Sequence, residues 1–582
     1  MKRLFVAAAI LLTATLSASS SDTPVADAAM RGDAAAVKTL IAGGADVNAA
    51  QGDGMTALHW TALNGDSETT EALLSAGAQV DQPTRLGNYT PLHLASSRGH
   101  GAVISRLLDG GAVVSAMTDT GVQPIHLAAQ AGVPDAITTL LARGADVNVQ
   151  DRTHGRTPLV FAVSQNRLDA MRVLIEKGAD ILRPTTVIDY VQRSRADSAE
   201  RAERNRAVTA ATGRPVAEIP TNDPVATVGG GQPAAGRGQA PAGARAGGGG
   251  RAGGGARAPS DIENIGKQGG LTALHYASRD GFAGAVDLLL AAGQPVNTPT
   301  AGDLSTPLLV AIVNGQFDIA MTLLDKGADP NQPNDDEMAP LFAVINTEWA
   351  LRTWYPQPTA GHQQRTSYLQ LIKRLAAAGA DPNARVKSHI WHAAYNAGRM
   401  GVEFTGATAF WRAAYALDVE AMKLLVSIGA DPHVPTMTFG SAARANDPSG
   451  LPGVPAGGAH IPPFHAASGV GYGTSRVAQQ HRYVPDGWMS AAKYFLEELG
   501  VDVNIRDANG FSALHHAAAR GDNAMILYLV KQGADVMAVN RNGQTTVDMA
   551  NSPEQRTQPF PETITLLEGM GAKNNHNCQA CK

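Results

Sequence analysis

The sequence predicts an all-α repeat solenoid of about twelve helix-turn-helix units with β-turn fingers, arranged as two stacks. Three observations carry this prediction. A motif built on Thr-Pro-Leu-His recurs along the chain, a second built on Gly-Ala-Asp-Val-Asn follows each copy, and Gly44, Gly77, Gly111, Gly144 and Gly178 recur every 33 or 34 residues. A chain of 582 residues is also too long for one compact core, so several domains or a repeating architecture is required.

The chain opens MKRLFVAAAILLTATLSASSSD. Lys2 and Arg3 precede an apolar run from Leu4 to Leu16, followed by small residues from Ser17 to Ser21. The run is short for a bilayer span and fits a signal peptide over 1–20, cleaved near 18–21. The expected location is therefore periplasmic or secreted. No later segment is apolar enough to span a membrane. The net charge of −5 gives no reason to expect nucleic acid or anionic lipid as a partner.

One unit shows the local physics. In NYTPLHLASSR (88–98), Thr90 is a good N-cap and Pro91 occupies the first helical position, where its missing N–H costs nothing. Val103, Ile104, Leu107 and Leu108 give a second helix an apolar stripe, and Gly111 supplies a left-handed stop. Two helices of under three turns cannot bury enough surface alone, but stacked copies share a continuous core. The units are expected at 22–54, 55–88, 89–121, 122–155, 156–187, 269–303, 304–336, 337–388, 389–434, 461–510, 511–543 and 544–573. They are referred to below as repeats 1 to 12. The end copies are worn, as units facing water should be.

TPLH-type starts paired with GADVN at this spacing resemble the ankyrin repeat family over most of residues 22–573. The resemblance implies a structural role for the histidines His59, His93, His126, His275, His465 and His515, each tying a helix start to neighbouring backbone. Val160, Leu309, Phe342 and Trp411 stand in the same place elsewhere, where packing is expected to replace the polar tie.

The ladder breaks in three places. Residues 188–268 pass from a charged, helix-permitting segment into a Gly/Arg/Ala-rich tract with no large apolar residue, read as a disordered linker. It divides the chain into an N-terminal stack at 21–187 and a C-terminal stack at 269–573, before a CxxC tail at 574–582. The second break lies inside repeat 8 (346–367), and the third is a set of long connections at 384–406, 435–461 and 468–488. Five of the six tryptophans collect in these insertions. Trp349, Trp354, Tyr355, Trp391, Phe404, Trp411 and Trp488 are candidates either to hold a partner or to pack the insertions onto the solenoid. His389 and His392 could share a helix face, but no further ligands accompany them, so no metal site is expected.

The chain ends NNHNCQACK, and Cys578 and Cys581 are its only cysteines. A disulfide, free thiols, and haem attachment with Lys582 in the place of the usual histidine are the open readings. No nucleophile elbow, Ser–His–Asp signature or phosphate loop is present. The expected function is an exported, non-catalytic scaffold for a protein or peptide partner, without cofactor and without nucleic acid. A redox or haem-linked accessory is the alternative. Oligomeric state is not readable.

Overall fold

A computed structural model describes residues 23–213, 261–350, 363–387, 402, 404–442, 446–472, 482–552 and 558–578. The protein is an all-α solenoid of short antiparallel helix pairs. Repeats 1 to 5 contribute Pro24–Met30 with Ala34–Ala42, Ala57–Asn64 with Ser67–Ser75, Pro91–Arg98 with Gly101–Asp109, Pro124–Ala131 with Pro134–Ala142, and Pro158–Ser164 with Leu168–Glu176. Repeats 6 to 9 contribute Ala273–Asp280 with Ala283–Ala291, Pro307–Val313 with Phe317–Asp325, Pro340–Glu348 with Tyr368–Ala377, and Ala409–Tyr415 with Val419–Ser427. In repeat 10, Pro463–Ala466 is followed by Gly487–Lys493, which widens into a π-turn at Tyr494–Glu498. Repeats 11 and 12 contribute Ala513–Ala519 with Asn523–Lys531 and Thr546–Ala550 with Pro561–Gly569.

The chain divides into two compact bodies. One comprises residues up to Thr185 together with Gly284–Gly293; the other comprises Thr186–Ala283 and Gln294–Lys582. In each, first helices stack on first helices and bury nearly everything. Pro91, Leu92, His93, Ala95 and Ser96 are all enclosed within one helix of eight residues. Second helices bury a single stripe, Val103, Ile104 and Leu107 in repeat 3. Gly99 shows why glycine closes the first helix. Its φ is +72°, and an added Cβ would lie 2.3 Å from Val133 of the next repeat.

The segment read as a disordered linker contains ordered structure. Val187–Asp189 pairs antiparallel with Lys267–Gly269, setting Asp189 opposite Lys267. Tyr190–Thr212 is a helix of 23 residues, capped by Asp189 and stopped by left-handed Gly213. Its Arg/Glu-rich sequence buries no side chain. The Gly/Arg tract at 229–259 lies outside the described residues, as does the stretch 1–20 expected to be a signal peptide. Among the described residues, no helix is long and apolar enough to cross a membrane.

Candidate interaction surface

The histidine ties come first because they set the spacing of the first helices. In repeat 3, His93 Nδ1 accepts from the Thr90 backbone N–H at 3.1 Å, and the Thr90 hydroxyl lies 2.9 Å away. Nδ1 thus carries the lone pair and Nε2 the proton, which reaches the Val122 carbonyl of repeat 4 at 3.2 Å. His59, His126, His275 and His515 repeat the arrangement, bonding Tyr89, Arg156, Ser305 and Gln544 carbonyls. Burial pushes His59, His93 and His275 down to about 4, so these rings are neutral at ordinary pH. His465 keeps the forward bond, to Ile505 O at 2.9 Å, but its cap is Pro462, which has no N–H to give.

At Trp411 the expectation of packing alone is wrong. The indole N–H donates to the Ile461 carbonyl at 2.9 Å, the position a histidine Nε2–H serves in other repeats. A larger ring performs the same tie.

A second ladder runs along the finger tips and was read from sequence only as a turn. Within each GADVN copy the aspartate caps its own turn, as Asp46 does for Asn48 N–H at 2.8 Å. The asparagine then spans to the next finger. Asn331 donates to Gly379 O at 2.8 Å and accepts from Asp381 N at 2.7 Å. Asn48, Asn148, Asn297, Asn383 and Asn504 make the same two-way bridge. Each spans one repeat, which is why the motif needs Asn at its fifth place.

The aromatic residues singled out as partner contacts are occupied internally. Phe404 and Trp411 are 1% and 0% exposed, so as surface contacts both are corrected. They form a cluster with Tyr415: Trp411 stacks on Tyr415 at 5.5 Å, and Phe404 meets both rings edge-on. Large rings fill this region because Arg412, fully buried, also enters it, bonding Asn346 Oδ1 at 2.9 Å and the Trp349 carbonyl. Trp349 is half-buried and donates to Asp418 at 2.8 Å, where the Tyr368 hydroxyl also donates. Trp488, half-buried, lies beneath the Arg520 guanidinium at 3.6 Å. Trp354, Tyr355 and Trp391 lie outside the described residues, as do His389 and His392.

The insertions are likewise pinned. Arg541, 5% exposed, holds Asp447 and the Leu451 and Pro452 carbonyls, fastening the connection after repeat 9 to the finger that ends repeat 11. Asp318 accepts from Thr366 N–H and hydroxyl at 3.0 and 2.7 Å, anchoring the end of the repeat 8 insertion. At the chain end, Cys578 is disulfide-bonded and 3% exposed; Cys581 is outside the described residues. Asn577 donates its side-chain amide to Asn542 O at 2.8 Å and its backbone N–H to Asp548 Oδ1 at 3.1 Å.

An open feature lies elsewhere, where fingers meet first helices in repeats 6 to 8. A cleft of about 230 Å³ is lined by residues including Gln268, Arg279, Asp303, Asn334, Asp336 and Met338. Burial, then the neighbouring Asp336 and Asp303 charges, pushes the adjacent Asp335 carboxyl up to about 6. The lining carries the carboxylates of Asp303 and Asp336, and Arg279, also in the lining, is paired with Asp280 at 2.8 Å.

Comparison with known proteins agrees with this architecture. A family described as ankyrin repeats (3 copies) matches residues 25–118, 111–185 and 256–334, and one described as ankyrin repeats (many copies) matches 492–550. Palmitoyltransferase ZDHHC13 of Homo sapiens is 40% identical over 143 residues, covering 25% of this chain and 23% of that protein. Palmitoyltransferase Hip14 of Drosophila melanogaster is 34% identical over 100 residues, covering 17% and 16%. Palmitoyltransferase ZDHHC17 of Rattus norvegicus is 34% identical over 84 residues, covering 14% of each. The chain spans less than a quarter of the length of these relatives. Their names are those of enzymes, which overturns the expectation of a non-catalytic chain. Helix pairs, histidine ties, finger ladder and family matches together make this chain a member of the ankyrin repeat family.

Proposed function

We propose that this ankyrin array is an exported scaffold that holds an extended, basic segment of a protein partner against the fingers and first helices of repeats 6 to 8. The observation that carries this reading is the acidic cleft bounded by Asp303 and Asp336. Among the described residues, Trp349, Phe404, Trp411 and Trp488 are engaged inside the array, so these four do not carry the reading. Export is supported by the Lys2–Arg3 start with its short apolar run, and by Cys578 standing in a disulfide, which an oxidising compartment favours. The same disulfide weakens the haem-linked alternative, which needs free thiols.

The test is a photo-crosslinking side chain at Asn334, compared with one at Glu68 on an outer helix, in cells of the native host. A discrete protein adduct from position 334 alone, lost on Asp336→Lys, supports the reading. Identical adducts from both positions, or none from 334, reject it. Cell fractionation with mass measurement of the mature N-terminus tests export. A second reading follows from the relatives' names, an acyl-transfer activity. Incubating the full chain with a palmitoyl donor and an acceptor thiol tests it, and no transfer above a protein-free control rejects it.

A further inference from the structure

Two departures from the repeat pattern meet inside the C-terminal body. The first is at repeat 10, whose cap is Pro462. In repeats 2, 3, 6 and 11 the corresponding Thr or Ser gives an N–H and a hydroxyl to the histidine Nδ1. Pro462 has neither group, and His465 Nδ1 is buried without a hydrogen-bond partner. Nε2 lies 2.9 Å from the Ile505 carbonyl, so that nitrogen carries the ring proton and Nδ1 the lone pair.

The second departure is His516. It follows the structural His515 at a place where other repeats carry Trp60, Leu94, Leu127, Phe161, Tyr276 or Val310. A histidine at this apolar position is 4% exposed, and its Nε2 has no partner either. An unpaired buried polar atom costs about 1–3 kcal/mol in an ordinary core, so two in contact need a reason. The rings of His465 and His516 are 5.2 Å apart, edge to face. Asp507 completes the group. Its Oδ1 accepts the Asn509 and Phe511 N–H groups, closing the finger turn that ends repeat 10 and leads into repeat 11.

We infer that His465, Asp507 and His516 form a buried binding site for a divalent first-row metal ion, with zinc the best match. One ring nitrogen from each histidine and one oxygen of Asp507 lie within 4.8 Å of one another. Tetrahedral zinc with two nitrogen ligands and one oxygen sets its ligand atoms roughly 3.3 Å apart, within reach of side-chain adjustment. Two neutral imidazoles and one carboxylate are the donor set zinc takes. Burial holds both histidines neutral, the state that ligation requires. Burial also pushes the Asp507 carboxyl up to about 7, and a cation would offset the charge that is costly there. The ion would bolt repeat 10 to repeat 11, where repeat 10 lacks the cap bonds of its neighbours.

The test uses the full chain, stripped with a chelator and titrated with Co²⁺ as a spectroscopic stand-in for zinc. The expected result is one equivalent bound with the intense visible absorption of four-coordinate cobalt, displaced by zinc, and a thermal midpoint about 5 °C higher with zinc at saturation. His516→Leu installs the residue that repeats 3 and 4 carry at this place, so its fold should persist while cobalt affinity falls at least tenfold. Asp507→Asn keeps the turn acceptor and should weaken binding in the same way. Absence of a tight equivalent in the unaltered chain overturns the site. So does unchanged cobalt absorption in both variants.

Discussion

The pairing of Asp189 with Lys267 makes a deletion quantitative. Residues 190–266 leave the array and return to it between two directly opposed residues of an antiparallel pair. Such a pair accepts a two-residue Asn-Gly turn. Replacing 190–266 with Asn-Gly removes the helix Tyr190–Thr212, which buries no side chain, so among the described residues no core is lost. It also shortens the closed loop from about 77 residues to two, and the closure term (3/2)RT ln(77/2) is about 3 kcal/mol in favour of the folded state. The helix already constrains part of the loop, so the gain should fall below that ceiling. Urea unfolding of the full chain and the shortened one, followed by far-UV circular dichroism, reads the effect. The midpoint should stay level or rise, and the signal lost should match one helix. A midpoint lowered by more than about 0.5 M, or melting of the whole array, would show that 190–266 carries packing the geometry does not contain.

Other perturbations follow from the same geometry. His93→Leu strands the Thr90 N–H and leaves the Val122 carbonyl with the Thr118 N–H alone, and should cost about 1–3 kcal/mol by urea titration, while His433→Leu at an exposed finger should cost under about 0.5 kcal/mol. The buried histidines predict acid sensitivity with a definite sign. Their folded-state pKa values, about 4 for His59, His93 and His275, lie below the unfolded value near 6.5, so the unfolded chain binds more protons in that window. Stability should be flat above pH 7 and fall progressively as pH drops from about 6.5 to 4, by up to roughly 3 kcal/mol per ring; a midpoint unchanged over that range would contradict neutral, buried imidazoles. Arg541→Met should release the 447–452 connection, seen as new protease cleavage there with the repeats still folded. Trp411→Phe removes the indole donor and leaves the Ile461 carbonyl with the Thr436 N–H alone, and should cost about 0.5–1.5 kcal/mol by the same urea titration.

The helix pairs were readable because the apolar spacing, the Thr-Pro starts and the glycine stops all repeat, and each is a local signal. The histidine role was readable only through the family resemblance, since the carbonyl that His93 reaches is 29 residues away. What escaped were cross-repeat pairings that no short window contains. The asparagine of GADVN looks like a turn residue until its partners, about thirty residues on, are in place. Trp411 reads from sequence as either a packing residue or a partner contact, because a large ring beside a long insertion can serve as either. Nothing local told that Arg412 and Tyr415 would enclose it. The ordered helix at 190–212 was marked as helix-permitting, but its strand pairing joins residues 80 apart in sequence, beyond any periodic signal.

The finger ladder has gaps. Within the two bodies, Ser115, His433 and Met537 stand where the bridging asparagine would be, and among the described residues none of them sends a side-chain hydrogen bond to the following finger. A linear array comes apart where adjacent members are least coupled. Under tension or mild denaturant, the seams after repeats 3, 9 and 11 should part first, so that the repeats between these seams open and close together as blocks.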